Sequence, residues 1–215
     1  MSHVAAGICM FLGSIAAVVH RQRRLKSCNT RYKNILSQLF VPLANIKYNA
    51  NHSQDAIFAE RKKYFNSIMS PSLSRVRFIH VAGSKGKGST TEYIAAGLRS
   101  QGFRVGVFTS PHIHTARERI KIGKDLISKE DVVRLGVEVL EEMKGFEWLV
   151  FFDLFLSIAI KYFSERSLDY VILETGIGGR YDSTNFLDSP AACVITSISL
   201  DHQTLLGNTT EKIAW

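Results

Sequence analysis

The sequence predicts an α/β fold, a mainly parallel, doubly wound sheet that carries a phosphate-binding loop. Two observations lead there. From Arg77 onward, short β-branched runs alternate with stretches of helical periodicity, the pattern of successive βαβ units. Each candidate strand also ends in polar or glycine-rich sequence, and ligands of open α/β sheets lie at the carboxyl ends of the strands.

The first strand is RFIHVA (77–82), an apolar run that ends in the turn GSKGKGS (83–89). A helix follows to about Gln101, with Ile94, Leu98 and Gln101 at helical spacing and Gly102 as its stop. RVGVFTS (104–110) is the second strand. Ser128 and Asp131 form a candidate capping box for a helix with Val132, Leu135, Val139, Leu140 and Met143 on one face. A further helix covers about 148–164. Its run WLVFFDLFLSIAI is too short for a membrane span and contains Asp153, so it reads as a buried core helix. DYVILE (169–174) and ACVITSI (192–198) complete the strands. They lead into ETGIGGRYDSTN and SLDH.

Composition bounds the rest. A chain of 215 residues, 46% hydrophobic, suits one globular domain. The net charge of +8 comes almost wholly from the first 54 residues, which hold seven Lys or Arg and no acid. Residues 55–215 carry 20 basic against 19 acidic residues, a balance of +1 that argues against a nucleic-acid surface. Cys9, Cys28 and Cys193 match neither a zinc pattern nor a disulfide framework, which favours a reducing compartment.

Residues 4–19 (VAAGICMFLGSIAAVV) are apolar and precede HRQRRLK. Sixteen residues are short for a spanning helix, and the charge follows the apolar run where a secretory signal has it first. An organelle-targeting leader, a signal or anchor, and a misassigned start all stay open. Residues 1–30 are set apart from the domain at 31–215. The mature domain is expected to be monomeric and without a stable span. Its location would be a mitochondrial or other organelle matrix if the leader targets, and cytoplasmic otherwise.

The turn at 83–89 has the chemistry of a phosphate cradle. Gly83, Gly86 and Gly88 let backbone approach a phosphate, and the following helix directs free N–H groups and its positive dipole end there. Lys87 can reach the β and γ phosphates, and Ser89 and Thr90 supply hydroxyls. The spacing is G-x-x-G-K-x-S, shorter than the common P-loop pattern, with Val81 where the first glycine would stand. An ordinary glycine-rich turn with incidental lysines is the bland alternative.

HVAGSKGKGST (80–90), FTSPHIHTARERIKI (108–122), LETGIGGRYDSTN (173–185) and SLDHQTLLGNTTEKIAW (199–215) together resemble folylpolyglutamate synthase and dihydrofolate synthase, of the Mur ligase superfamily. The resemblance covers residues 31–215 and implies the Mur central-domain fold and an ATP-dependent ligase. In such a ligase a folate γ-carboxylate attacks ATP, and glutamate then displaces phosphate from the acyl phosphate. It implies ATP and Mg²⁺, admits a monovalent cation such as K⁺, and names folate or dihydropteroate and L-glutamate as substrates. It carries Mg²⁺ ligation over to Ser110, Glu174 and His202, and catalysis to Lys87, Glu174 and His202. It places Arg117, Arg119, Phe152 and Asp182 near folate. Each has a bland reading: a capped turn at Ser110, an ion-paired Glu174, a satisfied polar His202, surface arginines, a core Phe152. Val150-Phe151-Phe152-Asp153 departs from the T-[FY]-F-E of many bacterial members, which touches the pterin contacts. Family members also continue past EKIAW (211–215) with a lysine segment and a C-terminal domain. The chain is therefore expected to be a piece of a ligase, inactive by itself. A Mur-type cell-wall ligase and a non-catalytic nucleotide-binding remnant are the alternatives.

Overall fold

The computed structural model describes residues 2–40, 53–144, 146 and 150–214, with side chains of the first helix described from residue 21. The elements run α1 (Ser2–Leu39), α2 (Gln54–Ile68), β1 (Arg77–Ala82), α3 (Lys87–Ser100), β2 (Val105–Phe108), β3 (Ile120–Ile122), β4 (Asp125–Leu126), α4 (Lys129–Glu142), α5 (Phe151–Ser164), β5 (Tyr170–Glu174), β6 (Ala192–Ile195), α6 (Gln203–Leu206) and α7 (Thr210–Ala214). The sheet order is β4-β3-β2-β5-β1-β6. β2, β5, β1 and β6 are parallel, so their carboxyl ends share one edge.

Four strands match the runs read from sequence, with β2 and β6 ending earlier, at Phe108 and Ile195. The residues trimmed from them, Ser110 and Thr196 among them, leave the sheet and enter the site. The antiparallel pair β3–β4 was not anticipated. Its signal is the alternation IKI, followed by a two-residue connection whose Gly123 takes φ 63.

Each central strand buries both faces by alternation. Phe78, Phe108, Val171 and Leu173 join a large core with α1, α2, α4 and α5. Ile79, Val81, Val105, Val107 and Ile172 join a smaller one under α3. α5 buries ten of its 14 residues, Asp153 included, as a core helix does. Residues 148 and 149, with which that helix is expected to open, lie outside the described residues. α4 caps as expected, Ser128 Oγ accepting from Asp131 N at 2.9 Å, and Val132, Leu135, Val139 and Met143 are buried.

α1 runs unbroken across residue 30. Tyr32, Ile35 and Leu39, spaced three and four apart, bury against α4. The helices meet closely at Gly136, where a Cβ would stand 2.9 Å from Ile35. Among the described residues, no helix is long and apolar enough to cross a membrane.

Candidate nucleotide and metal site

The glycine loop leaves β1 and turns into α3 at the common sheet edge. Gly86 caps α3 in the left-handed region (φ 86). The first bond of the helix turn is Thr90 N to Gly86 O at 2.9 Å, so the N–H groups of Lys87, Gly88 and Ser89 point out of the helix end. Gly83 has φ 132, and a Cβ there would lie 2.0 Å from Thr196 Oγ1, so only glycine fits. Lys87 Nζ donates to Gly83 O at 2.8 Å, folded across its own loop.

The segment after β6 holds this loop in shape. Ser84 N donates to Ser197 O at 2.9 Å, Ser84 Oγ to Ser199 O at 3.0 Å, and Thr196 Oγ1 to Lys85 O at 2.8 Å. Ser84, Thr196 and Ser199 escaped the sequence reading because nothing in their local pattern says that β6 neighbours β1.

Glu174 ends β5, beside β1, and is 3% exposed. Its Oε2 accepts from Ser110 N at 2.9 Å. Burial raises its pKa, while the Ser110 N–H, Lys87 and Arg119 pull the other way. Both carboxylate oxygens stand 3.7 Å from where a Gly88 Cβ would be, so the acid faces the open helix end. A buried carboxylate, a serine and converging amides suit a hard cation bridging to phosphate.

Of the three expected metal ligands, the fold joins Ser110 and Glu174. His202 lies on the loop after β6 in the left-handed region (φ 47), with its ring beside Asp201 (Nε2–Oδ1 3.8 Å). Among the described residues, no group of three or more His, Cys, Asp or Glu stands together as a metal cage.

The two arginines part. Arg117 Nε donates to Ile127 O, tying the turn to the start of α4. Arg119 is buried against the Phe151 ring (4.9 Å to the centroid) and donates through Nε to His112 Nδ1 at 2.9 Å. Burial lowers its pKa, and nearby Glu174 opposes the shift. Phe152 packs edge-to-face on Phe108 (5.4 Å) and lies against Gly176.

Asp182 organises the loop after Glu174. Its Oδ2 accepts from Gly176 N at 2.9 Å and Ile177 N at 3.0 Å, and its Oδ1 from Thr184 N at 3.0 Å and Thr184 Oγ1 at 2.5 Å. These four donors fill the usual acceptor sites of a carboxylate. Behind it, Asp153 pairs with Arg61 at 3.2 Å, accepts from Val150 N at 3.1 Å and is hydrogen-bonded by Ser183 Oγ. Burial drives the Asp153 pKa up, and the Arg61 charge counters it.

A glycine loop between parallel strand and helix, facing a buried acid at the sheet edge, is the architecture of the P-loop class of α/β proteins. No family model matches the chain. It is 40% identical over 169 residues to a putative folylpolyglutamate synthase of Dictyostelium discoideum, spanning 77% of this chain and 27% of that protein. It is 40% identical over 149 residues to the mitochondrial folylpolyglutamate synthase of Homo sapiens, 66% of this chain and 25% of that one. Among solved structures, apo L. casei FPGS superposes with TM-score 0.68 at 32% identity, over 85% of this chain and 44% of that one. E. coli FolC in complex with DHPP and ADP gives 0.65 at 29%, over 83% and 42%. The chain belongs to the folylpolyglutamate synthase family. It spans about a quarter of the length of the two curated relatives.

Proposed function

We propose that this chain supplies the nucleotide- and metal-binding part of a ligase that joins L-glutamate to the γ-carboxylate of a folate. The observation that carries the reading is the Glu174 carboxylate, buried at the sheet edge, bonded to Ser110 and facing the open amides of the glycine loop. A solved relative of this fold holds Mn, AMPPNP and L-glutamate. It is 36% identical, has TM-score 0.63, and is matched over 72% of this chain and 37% of its own length.

The loop amides and Lys87 would bind the β and γ phosphates, Lys87 exchanging Gly83 O for a phosphate oxygen. Ser89 and Thr90 line the helix start. Ser110 and Glu174 would hold Mg²⁺, with His202 as the third ligand that the family pattern implies; K⁺ is the candidate monovalent partner. The metal supplies charge neutralisation between a carboxylate and a triphosphate. Arg119 bonds this chain through Nε, so its two terminal nitrogens can grip a substrate carboxylate. Attack of that carboxylate on the γ-phosphate gives an acyl phosphate and ADP; the glutamate amine then forms the amide and expels phosphate. Dihydropteroate is the alternative acceptor. The product would be made in a mitochondrial or other organelle matrix if the leader targets, and in the cytoplasm otherwise, by a monomer without a nucleic-acid partner.

The test is calorimetry of Mg·ATP on the 215-residue chain and its Lys87→Ala form. Magnesium-dependent binding that weakens about tenfold or more (~1.4 kcal/mol) in Lys87→Ala supports the site. A folded chain that binds no nucleotide refutes it. Ligation is expected to need the rest of the enzyme, so no glutamylated folate should form with this chain alone; product detected by mass spectrometry would overturn that.

A further inference from the structure

His80 sits in β1, three residues before the glycine loop, 8% exposed, and takes no part in the proposed site. Its Nε2 lies 2.7 Å from Thr184 Oγ1, and that hydroxyl lies 2.5 Å from Asp182 Oδ1. A hydroxyl has one proton. Asp182 is ringed by donors and has no acceptor for a proton of its own, so the Thr184 proton points at Asp182. Thr184 must then accept from His80. The ring is therefore the Nε2–H tautomer, and the relay runs His80 to Thr184 to Asp182.

Asp182 in turn gathers the Gly176 and Ile177 amides. That loop wedges between the carboxyl end of β1, where a Gly179 Cβ would be 3.8 Å from Ala82, and α6, where a Gly178 Cβ would be 3.0 Å from Leu206. On its outer side Tyr181 donates to Asp55 of α2 at 2.8 Å. We propose that His80 is a positioning residue: through Thr184 it orients Asp182, and so sets the 176–182 loop against the end of β1, from which the glycine loop departs. Burial favours the neutral ring and lowers the His80 pKa, with Asp182 opposing, in keeping with a donor held in one tautomer. The inference goes beyond glutamate ligation and holds whatever the substrate, because it concerns loop placement.

Two measurements on the 215-residue chain test it, neither of which needs nucleotide binding or ligation. Long-range ¹H–¹⁵N correlation at neutral pH should show His80 Nε2 protonated and Nδ1 bare; the opposite tautomer overturns the proposal. In Thr184→Val, the Gly176 and Ile177 amides should exchange about tenfold or more faster, as loss of a charge-assisted hydrogen bond implies. Val171 and Leu173 amides should be unchanged, and Thr184→Ser should restore protection. Unchanged loop amides, or equal acceleration of loop and sheet, refute the positioning role. If Thr184→Val does not fold, the tautomer decides.

Discussion

Glu118 carries no catalytic role here, yet it shapes the turn that presents Arg119. Its carboxylate accepts from the N–H groups of Ile113 and His114 at 2.8 and 2.9 Å and of Thr115 at 2.8 Å. Those bonds hold its pKa down at about 2, the Ile113 N–H first among them. A carboxyl depressed in the fold contributes stability that is present above its unfolded pKa, near 4.5, and is lost as pH falls toward 2. Glu118→Gln should therefore lower Tm at pH 6, and the gap from the parent should close between pH 4.5 and pH 2. A constant gap across that range would show that the charge does not matter. Arg117 and Arg119 are two apart in sequence, and only one faces Glu174. Spacing could not say which, because both lie within one 3₁₀ turn (Ala116–Arg119), which follows neither the strand nor the α-helix period.

At the scale of elements, α1 and α4 close together over the large core. Their contact passes through Gly136, where even a Cβ would press on Ile35. Gly136→Leu is expected to overpack this contact and cost about 1–3 kcal/mol, read as a lower urea midpoint at constant m. Gly97 of α3 has open space at its Cβ, so Gly97→Ala should raise stability by ~0.5–1 kcal/mol in the same assay. The helices α3, α4 and α5 were legible from period and capping. The β3–β4 hairpin was not, since its strands are three and two residues long and its pairing rests on a single turn.

For the whole molecule, β6 is the outer strand of the parallel set and, among the described residues, pairs on one side only, with β1. Ile195 is 71% exposed there, and Leu200 and Leu205 beyond it are 55% and 60% exposed. Apolar surface of this kind promotes self-association. Ile195→Thr combined with Leu205→Lys should reduce dye binding to exposed apolar surface and the aggregated fraction in sedimentation; no change would place the sticky surface elsewhere. The sequence alone determined the fold class, the parallel strands, the glycine loop and the family, because hydrophobic period and glycine spacing are local and survive without neighbours. Only the tertiary structure decided that Ser110 bonds Glu174, that Asp182 turns inward to its own amides, and that Thr196 and Ser84 brace the loop. It also placed His80 behind Asp182. The contacts of Ser110, Thr196, Ser84 and His80 join residues at least 64 positions apart along the chain, and Asp182 reaches back five and six positions to Ile177 and Gly176. Sheet order is set by packing over the whole core, which no local pattern records.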